Sequence, residues 1–190
     1  MDYTKYLKFY PDFPIAGVNF VDIIPFVQNK EVFRSLVKDL GANSDSPNIV
    51  APEARGFLFA APMLTECENV QNIIPFRKKG KLPYAQGDLM GIDITKEYGK
   101  DKIYFRLSDV AAGVPDGDVF KVTFFDDILA TGGTARGIAE GLEKQKIVVD
   151  GKEYGIKVTD FVFLVEIEGL GGREAIEDIA PVKALMKVTE

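Results

Sequence analysis

Hydrophobic positions along the chain follow two rhythms. In "NKEVFRSLVKDLG" (29–41), Phe33, Leu36, Val37 and Leu40 recur at i, i+3, i+4 and i+7, the spacing of one helical face. Asn29 is placed to cap this helix and Gly41 to end it. "RGFLFAAPMLTE" (55–66) predicts a second helix, with Pro62 disturbing its middle. "TARGIAEGLEKQK" (134–146) predicts a third, with Ala135, Ile138, Ala139 and Leu142 on one face. Between them lie almost continuously apolar runs: "NIVAP" (48–52), "NIIPF" (72–76), "DVFKVTFF" (118–125), "VTDFVFLVEI" (158–167) and "VKALMKV" (182–188). Strands of that kind alternating with helices predict an α/β domain whose parallel sheet is covered on both faces.

Three stretches depart from this alternation. "RKKGKLP" (77–83) is densely basic and leads into polar, glycine-containing sequence up to Gly99, which predicts a mobile excursion. "KIYFRL" (102–107) alternates and predicts an outlying strand. "KIVVDGKEYGIKV" (146–158) reads as an added hairpin with Asp150-Gly151 as its two-residue turn. No internal repeat, low-complexity segment or linker interrupts the 190 residues, so a single domain is expected.

Composition narrows the chemistry. Apolar residues make up 46% and charged residues 27%, as in soluble globular proteins. The net charge of −6 argues against a general nucleic-acid surface, so any anion site must be local. The chain has no histidine and a single cysteine, Cys67. That excludes Ser-His-Asp and Cys-His nucleophilic sites, histidine-ligated zinc and an intramolecular disulfide. No apolar run approaches the roughly 20 residues of a membrane span, and the N-terminus lacks a signal core. A cytoplasmic protein without membrane or nucleic-acid partners is expected.

The densest chemistry lies in "FFDDILATGGTARG" (124–137), where an apolar strand meets two adjacent acids, Asp126 and Asp127, and then Thr131, Gly132, Gly133 and Thr134. Glycines let the backbone turn sharply and approach a ligand closely. The free amides and positive dipole end of the following helix favour a phosphate. Arg136, in the first turn of that helix, has the wrong sign for the dipole unless an anion lies there. Carboxylates accept from sugar hydroxyls and approach Mg²⁺, so a phosphate cradle beside two acids fits a sugar phosphate. The motif is neither a Walker loop nor a Gly-x-Gly-x-x-Gly dinucleotide pattern. Taken alone, an ordinary Gly-Gly turn with Thr134 as helix cap remains a reading of the same residues. Arg77, Lys78, Lys79 and Lys81 taken alone describe a solvated basic surface.

"VTFFDDILATGGT" resembles the phosphoribosyl diphosphate (PRPP) signature of type I phosphoribosyltransferases. "PDFPIAGVNFVDIIP" (11–25), "APEARGFLFAAP" (51–62), "PFRKKGKLP" (75–83), "KEYGKD" (96–101) and "FLVEIEGLGGRE" (163–174) resemble the adenine phosphoribosyltransferase family in order and spacing, over nearly the whole chain. The resemblance implies a parallel-sheet core flanked by helices, a small N-terminal hood from residues 1–28 and a flexible catalytic loop over 82–100. It implies purine salvage: transfer of 5-phosphoribosyl from PRPP to adenine, giving AMP and pyrophosphate, with Mg²⁺ and in a homodimer.

The same resemblance implies roles residue by residue. Ala130, Thr131, Gly132, Gly133 and Thr134 would hold the 5′-phosphate, and Asp126 and Asp127 the ribose hydroxyls. Arg55 would lie near the pyrophosphate, next to an unusual cis peptide. Arg77 and Lys81 would stabilise the departing diphosphate, with some of these side chains reaching in from a neighbouring subunit. Glu97 would manage the purine proton and Tyr98 contact the diphosphate. Mg²⁺ would be bound mainly through the substrate, with Asp126 and Asp127 as further ligands. The backbone of Asn19 and Val21 would read the adenine edge, and Ile167 would pack on the base; Val21 stands where the family commonly has arginine. Two alternatives remain at this level. One is a 6-oxopurine transferase for hypoxanthine or xanthine, although "FLVEIEG" offers no donor for an O6 atom. The other is a non-catalytic PRPP- or purine-binding regulator, although the acids and Glu97 that such proteins often lose are present.

Overall fold

The computed structural model describes residues 1–96 and 99–189. The chain runs β1 (Lys8–Tyr10), β2 (Phe20–Asp22), α1 (Ile24–Val27), α2 (Lys30–Ala42), β3 (Asn48–Pro52), α3 (Arg55–Glu66), β4 (Asn72–Lys78), β5 (Leu89–Lys96), β6 (Gly99–Arg106), α4 (Leu107–Ala111), β7 (Val119–Leu129), α5 (Gly133–Glu143), β8 (Lys146–Val149), β9 (Lys152–Glu168) and β10 (Val182–Thr189). The main sheet has the order β10-β9-β7-β3-β4-β6-β5. From β10 to β4 every pairing is parallel, and β6 and β5 extend that edge antiparallel. The mixed α/β architecture matches the sequence expectation, with the antiparallel edge as an addition to it.

Successive strand residues point to opposite faces, and here both faces are buried. Phe124, Phe161 and Phe163 pack with Phe76, Phe105 and the α5 residues Ile138 and Leu142. Phe125, Val162 and Leu164 pack on the other face with Leu36, Val37 and Leu40 of α2 and Phe59, Ala60 and Met63 of α3. The N-terminal residues, expected to form the hood, join this second layer through Tyr3, Leu7, Val21, Ile23 and Phe26. Two facing layers of aromatic and branched side chains explain why the β3, β7 and β9 sequences read as unbroken apolar runs.

Three features of the fold differ from the sequence expectation. Asn29 caps α2 as expected, its side chain accepting from Val32 N–H at 3.2 Å, but Gly41 does not end the helix. Gly41 is buried inside it because a Cβ there would collide with the Cys67 thiol. Part of the expected excursion is ordered pairing: β5 runs antiparallel to β6, with Ile92 and Ile94 buried. The alternation in "LMGIDITK" carried that signal. β7 continues four residues beyond Phe125, so the acid pair lies within the strand rather than after it. The helix expected over 55–66 is present as α3, with Pro62 inside it. The expected hairpin is present: β8 pairs antiparallel with β9, and Asp150 and Gly151 take φ of 51° and 79° at its turn.

Candidate active site

The parallel strands β3, β7 and β9 deliver their carboxyl ends to one edge of the sheet, where ligands bind in folds of this class. After β3 comes Glu53, joined to Ala54 by a cis peptide bond, and then α3 begins at Arg55. Gly56, in the first turn of α3, lies so close to Asp126 that a Cβ on it would sit 3.1 Å from Asp126 Oδ1. The N-terminus of α3 therefore approaches the acid pair with its positive end, which offsets part of the repulsion between neighbouring carboxylates.

Asp126 and Asp127 differ in environment. Asp127 is 5% exposed, and Arg55 Nε lies 2.7 Å from its Oδ2. The guanidinium N–H is not aligned to donate to this oxygen, so the contact is an ion pair and Oδ2 is buried without a hydrogen-bond partner. The same guanidinium lies over the Phe20 ring at 5.5 Å, linking the hood to the acids. Asp126 accepts from Asp127 N–H at 2.8 Å. Asp126 is half-buried; burial of its protein-facing side, followed by the charge of Asp127, pushes its carboxyl well above the usual 3.8.

That shift has a consequence for stability. Between the ordinary value and the raised one the folded chain binds more protons than the unfolded chain, so Asp126 makes stability fall as pH rises through that window. Asp126→Asn keeps an acceptor for Asp127 N–H and removes the penalty. The unliganded variant is expected to melt above the parent at pH 8, with the gap closing below pH 4, in parallel thermal scans. A variant that melts lower than the parent at pH 8 contradicts this account of the pair.

After β7, Gly132 takes φ of +77° and serves as the N-cap of α5, with no side chain capping the helix. The first intrahelical bond here is Arg136 N–H to Gly132 C=O at 2.9 Å. The preceding amides of Gly133, Thr134 and Ala135 have no intrahelical acceptor by helix geometry. These residues help line a depression of about 340 Å³, open solvent included, walled by Asp126, residues 128–135 and Phe163. Ala130, Thr131, Gly132, Gly133 and Thr134 thus form a single concave bend beside Asp126. Asp126 and Thr134 also border a second space of about 430 Å³, enclosed by Pro52, Glu53 and Lys78 and by the hairpin residues Ile94, Asp101, Lys102 and Ile103. Thr134 does not cap the helix, and Arg136 turns away from the bend. It donates to Ala175 C=O at 2.6 Å and pairs with Asp178 at 2.8 Å and Glu140 at 2.8 Å. The expectation that Arg136 answers an anion is therefore corrected.

The basic residues are partly engaged within the chain. Arg77 Nε donates to Glu53 Oε2 at 2.8 Å, and its NH1 to Lys81 C=O at 3.1 Å. Burial raises the Glu53 carboxyl, but the bonds from Arg77 and from Lys78 N–H outweigh it and hold the group below its usual value. Lys81 is exposed. In the hood, Val21 is 3% exposed and its side chain belongs to the core, which leaves its backbone for any contact with a ligand. Asn19 precedes β2 and is half-buried. Ile167, near the end of β9, packs partly buried against the same layer as Val21. Glu97 and Tyr98 lie outside the described residues.

Residue-by-residue reading of the sequence missed several neighbours. Phe20, with Tyr10, Phe13 and Asp22, lines an apolar depression of about 430 Å³ on the hood. Lys78 and Lys102 border the second space, and Gly56 and Gly172 allow close approach to Asp126 and to the bend. The glycines have no sequence signal beyond their identity; only the tertiary contact shows what they admit. Among the described residues no three His, Cys, Asp or Glu side chains form a metal cage.

Comparison with known proteins places this geometry in context. No protein-family model matches the chain. The chain is 34% identical over 190 residues to an adenine phosphoribosyltransferase of Synechococcus sp. (strain CC9605), covering 98% of this chain and 99% of that one. It is 34% identical over 181 residues to an adenine phosphoribosyltransferase of Pseudothermotoga lettingae, covering 94% and 95%. Among solved structures, an adenine phosphoribosyltransferase of Thermoanaerobacter pseudethanolicus superposes with a TM-score of 0.77 at 30% identity, over 97% and 96% of the two chains. The Saccharomyces cerevisiae adenine phosphoribosyltransferase, complexed with an imino-altritol bisphosphate and adenine, gives 0.72 at 31% identity over 94% and 93%.

Proposed function

We infer the function from one premise: the chain belongs to the adenine phosphoribosyltransferase family. It is a purine-salvage transferase that converts adenine and PRPP to AMP and pyrophosphate. The observation that carries this reading onto the chain's own residues is the concave bend of 130–134 beside Asp126 and Asp127.

The amides of 133–135 and the α5 dipole would bind the 5′-phosphate. Asp126 and Asp127 would accept from the two ribose hydroxyls, and the place of Asp126 in the wall of the depression supports that use. The diphosphate would then extend into the second space toward Lys78 and Lys102, which line it, with Arg77, Lys81 and Arg55 as the further cations that the family resemblance assigns to it. Displacement at the anomeric carbon builds positive charge on the ribose, as in other oxocarbenium-like transition states. Cations beside the leaving diphosphate stabilise the charge it takes up. Arg77 would have to exchange Glu53 for the diphosphate. Glu97 would receive the purine proton, Tyr98 would touch the diphosphate, and the 82–100 segment would exclude water from the reacting centre.

Asp126 and Asp127, adjacent on β7 beside the bend, would fit Mg²⁺ held chiefly by substrate oxygens, with the two carboxylates as the protein's contribution. When bound, the ion would screen the diphosphate and help it leave. Adenine would meet the backbone of Asn19 and Val21 on its edge and Ile167 on its face. A homodimer is supported by the apolar side chains exposed on α1 and α3, namely Ile24, Val27, Leu58 and Leu64. A cytoplasmic location is supported by the single buried, free cysteine; no helix among the described residues is long and apolar enough to cross a membrane.

Incubation with PRPP and Mg²⁺ and each of adenine, hypoxanthine, guanine and xanthine tests the reading. AMP from adenine, with little nucleotide from the others, is expected. Preferred formation of a 6-oxopurine nucleotide would move the chain to the first alternative, and binding without any nucleotide to the second.

A further inference from the structure

The motif "EGLGGRE" (168–174) is absorbed only in part by the reading above, which uses Ile167 before it. In the fold this segment lies directly behind the bend. A Cβ on Gly132 would sit 2.7 Å from Gly172 C=O and 3.1 Å from Ala175 Cβ. Conversely, a Cβ on Gly172 would fall on Ala130 C=O and within 2.9 Å of Leu129 Cδ1. The two loops nest glycine against glycine, at a separation no other residue allows.

The nesting loop is itself anchored. Arg173 pairs with Glu166 and donates to Val182 C=O at 2.7 Å. Ile176 is fully buried in the same core as Leu129, Ala135 and Ile138. Arg136, one turn into α5, closes the arrangement through Ala175 C=O and Asp178.

We propose that Gly172, fastened by the Arg136 clamp, is a positioning residue for the phosphoribosyl donor: it fixes the backbone of 130–134 from behind in the shape that receives a phosphate. The proposal rests on the reading of that bend as the 5′-phosphate site. Displacing a binding group by about an ångström costs up to roughly a hundredfold in rate, and the nested contact leaves less slack than that.

The test measures ribose 5-phosphate affinity by calorimetry, together with steady-state kinetics, in four variants. Gly172→Ala is expected to weaken ribose 5-phosphate and raise KM for PRPP by about tenfold or more, with KM for adenine unchanged and kcat within about threefold. A general folding defect would instead lower kcat and leave both KM values in place, and that pattern overturns the proposal. Should Gly172→Ala not fold, Arg136→Gln and Arg136→Lys carry the test. A brace predicts that both weaken ribose 5-phosphate alike, because lysine loses the forked grip. Direct attraction of the phosphate predicts that Arg136→Lys behaves as the parent, which also overturns it. The fourth variant, Thr131→Val/Thr134→Val, reports on the bend alone. Weakening there with Gly172→Ala and both Arg136 variants unaffected rejects the brace and keeps the bend. Failure of the parent itself to bind ribose 5-phosphate rejects the bend, and the brace with it.

Discussion

Asp127→Asn is expected to reduce kcat/KM for PRPP by about ten- to a hundredfold, since a hydrogen bond to a charged acceptor contributes about 1.5–3 kcal/mol. Asparagine has the shape of aspartate but keeps only one oxygen, drawn to the place of Oδ2 beside Arg55. That atom is buried, lacks a hydrogen-bond partner and lies 2.7 Å from the Arg55 nitrogen. With the amide oxygen there, the amide nitrogen stands where the other carboxylate oxygen accepted, and a sugar hydroxyl loses its acceptor. The fold should persist, because Arg55 is 37% exposed in its side chain and water can solvate it. The change also removes a charge from beside Asp126. Steady-state kinetics with a thermal scan checks both halves: unchanged turnover takes the acid pair out of the account, and a lost melting transition makes its role structural.

The second large effect lies in the bend. Gly132→Ala places a Cβ at φ of +77°, where an L residue costs roughly 1–2 kcal/mol. The same Cβ would lie 2.7 Å from a backbone oxygen that cannot rotate away. Relief requires the bend to move, and with it the amides of 133–135. KM for PRPP is expected to rise about ten- to a hundredfold while adenine binding is retained. Equal losses for both substrates would point to collapse of the whole edge instead.

Much of this was legible in the sequence because its signals were local. The apolar runs of β3, β7 and β9 and the spacing of α2 and α5 correspond to elements of the fold. Asp150-Gly151 forms the turn its chemistry favours. Residues 126–134 are close in sequence and meet at one place. What escaped depends on contacts between distant segments. Gly41 resembles a helix stop until Cys67 is seen beside it. Arg136 resembles an anion ligand until Asp178 and Ala175 claim it. Arg77 resembles a free cation until Glu53 is found 2.8 Å away. The β5 strand escaped because glycine and charge break up the local texture, although Met90, Ile92 and Ile94 alternate toward the core.

The central claim is that the bend at 130–134 grips the donor's terminal phosphate while Asp126 and Asp127 hold its diol. A crystal structure with PRPP and Mg²⁺ bound measures this directly. The account predicts phosphate oxygens within hydrogen-bond distance of the amides of 133–135 and both ribose hydroxyls on the two carboxylates. Density for PRPP elsewhere, with the bend empty and Asp127 still held only by Arg55, would contradict it.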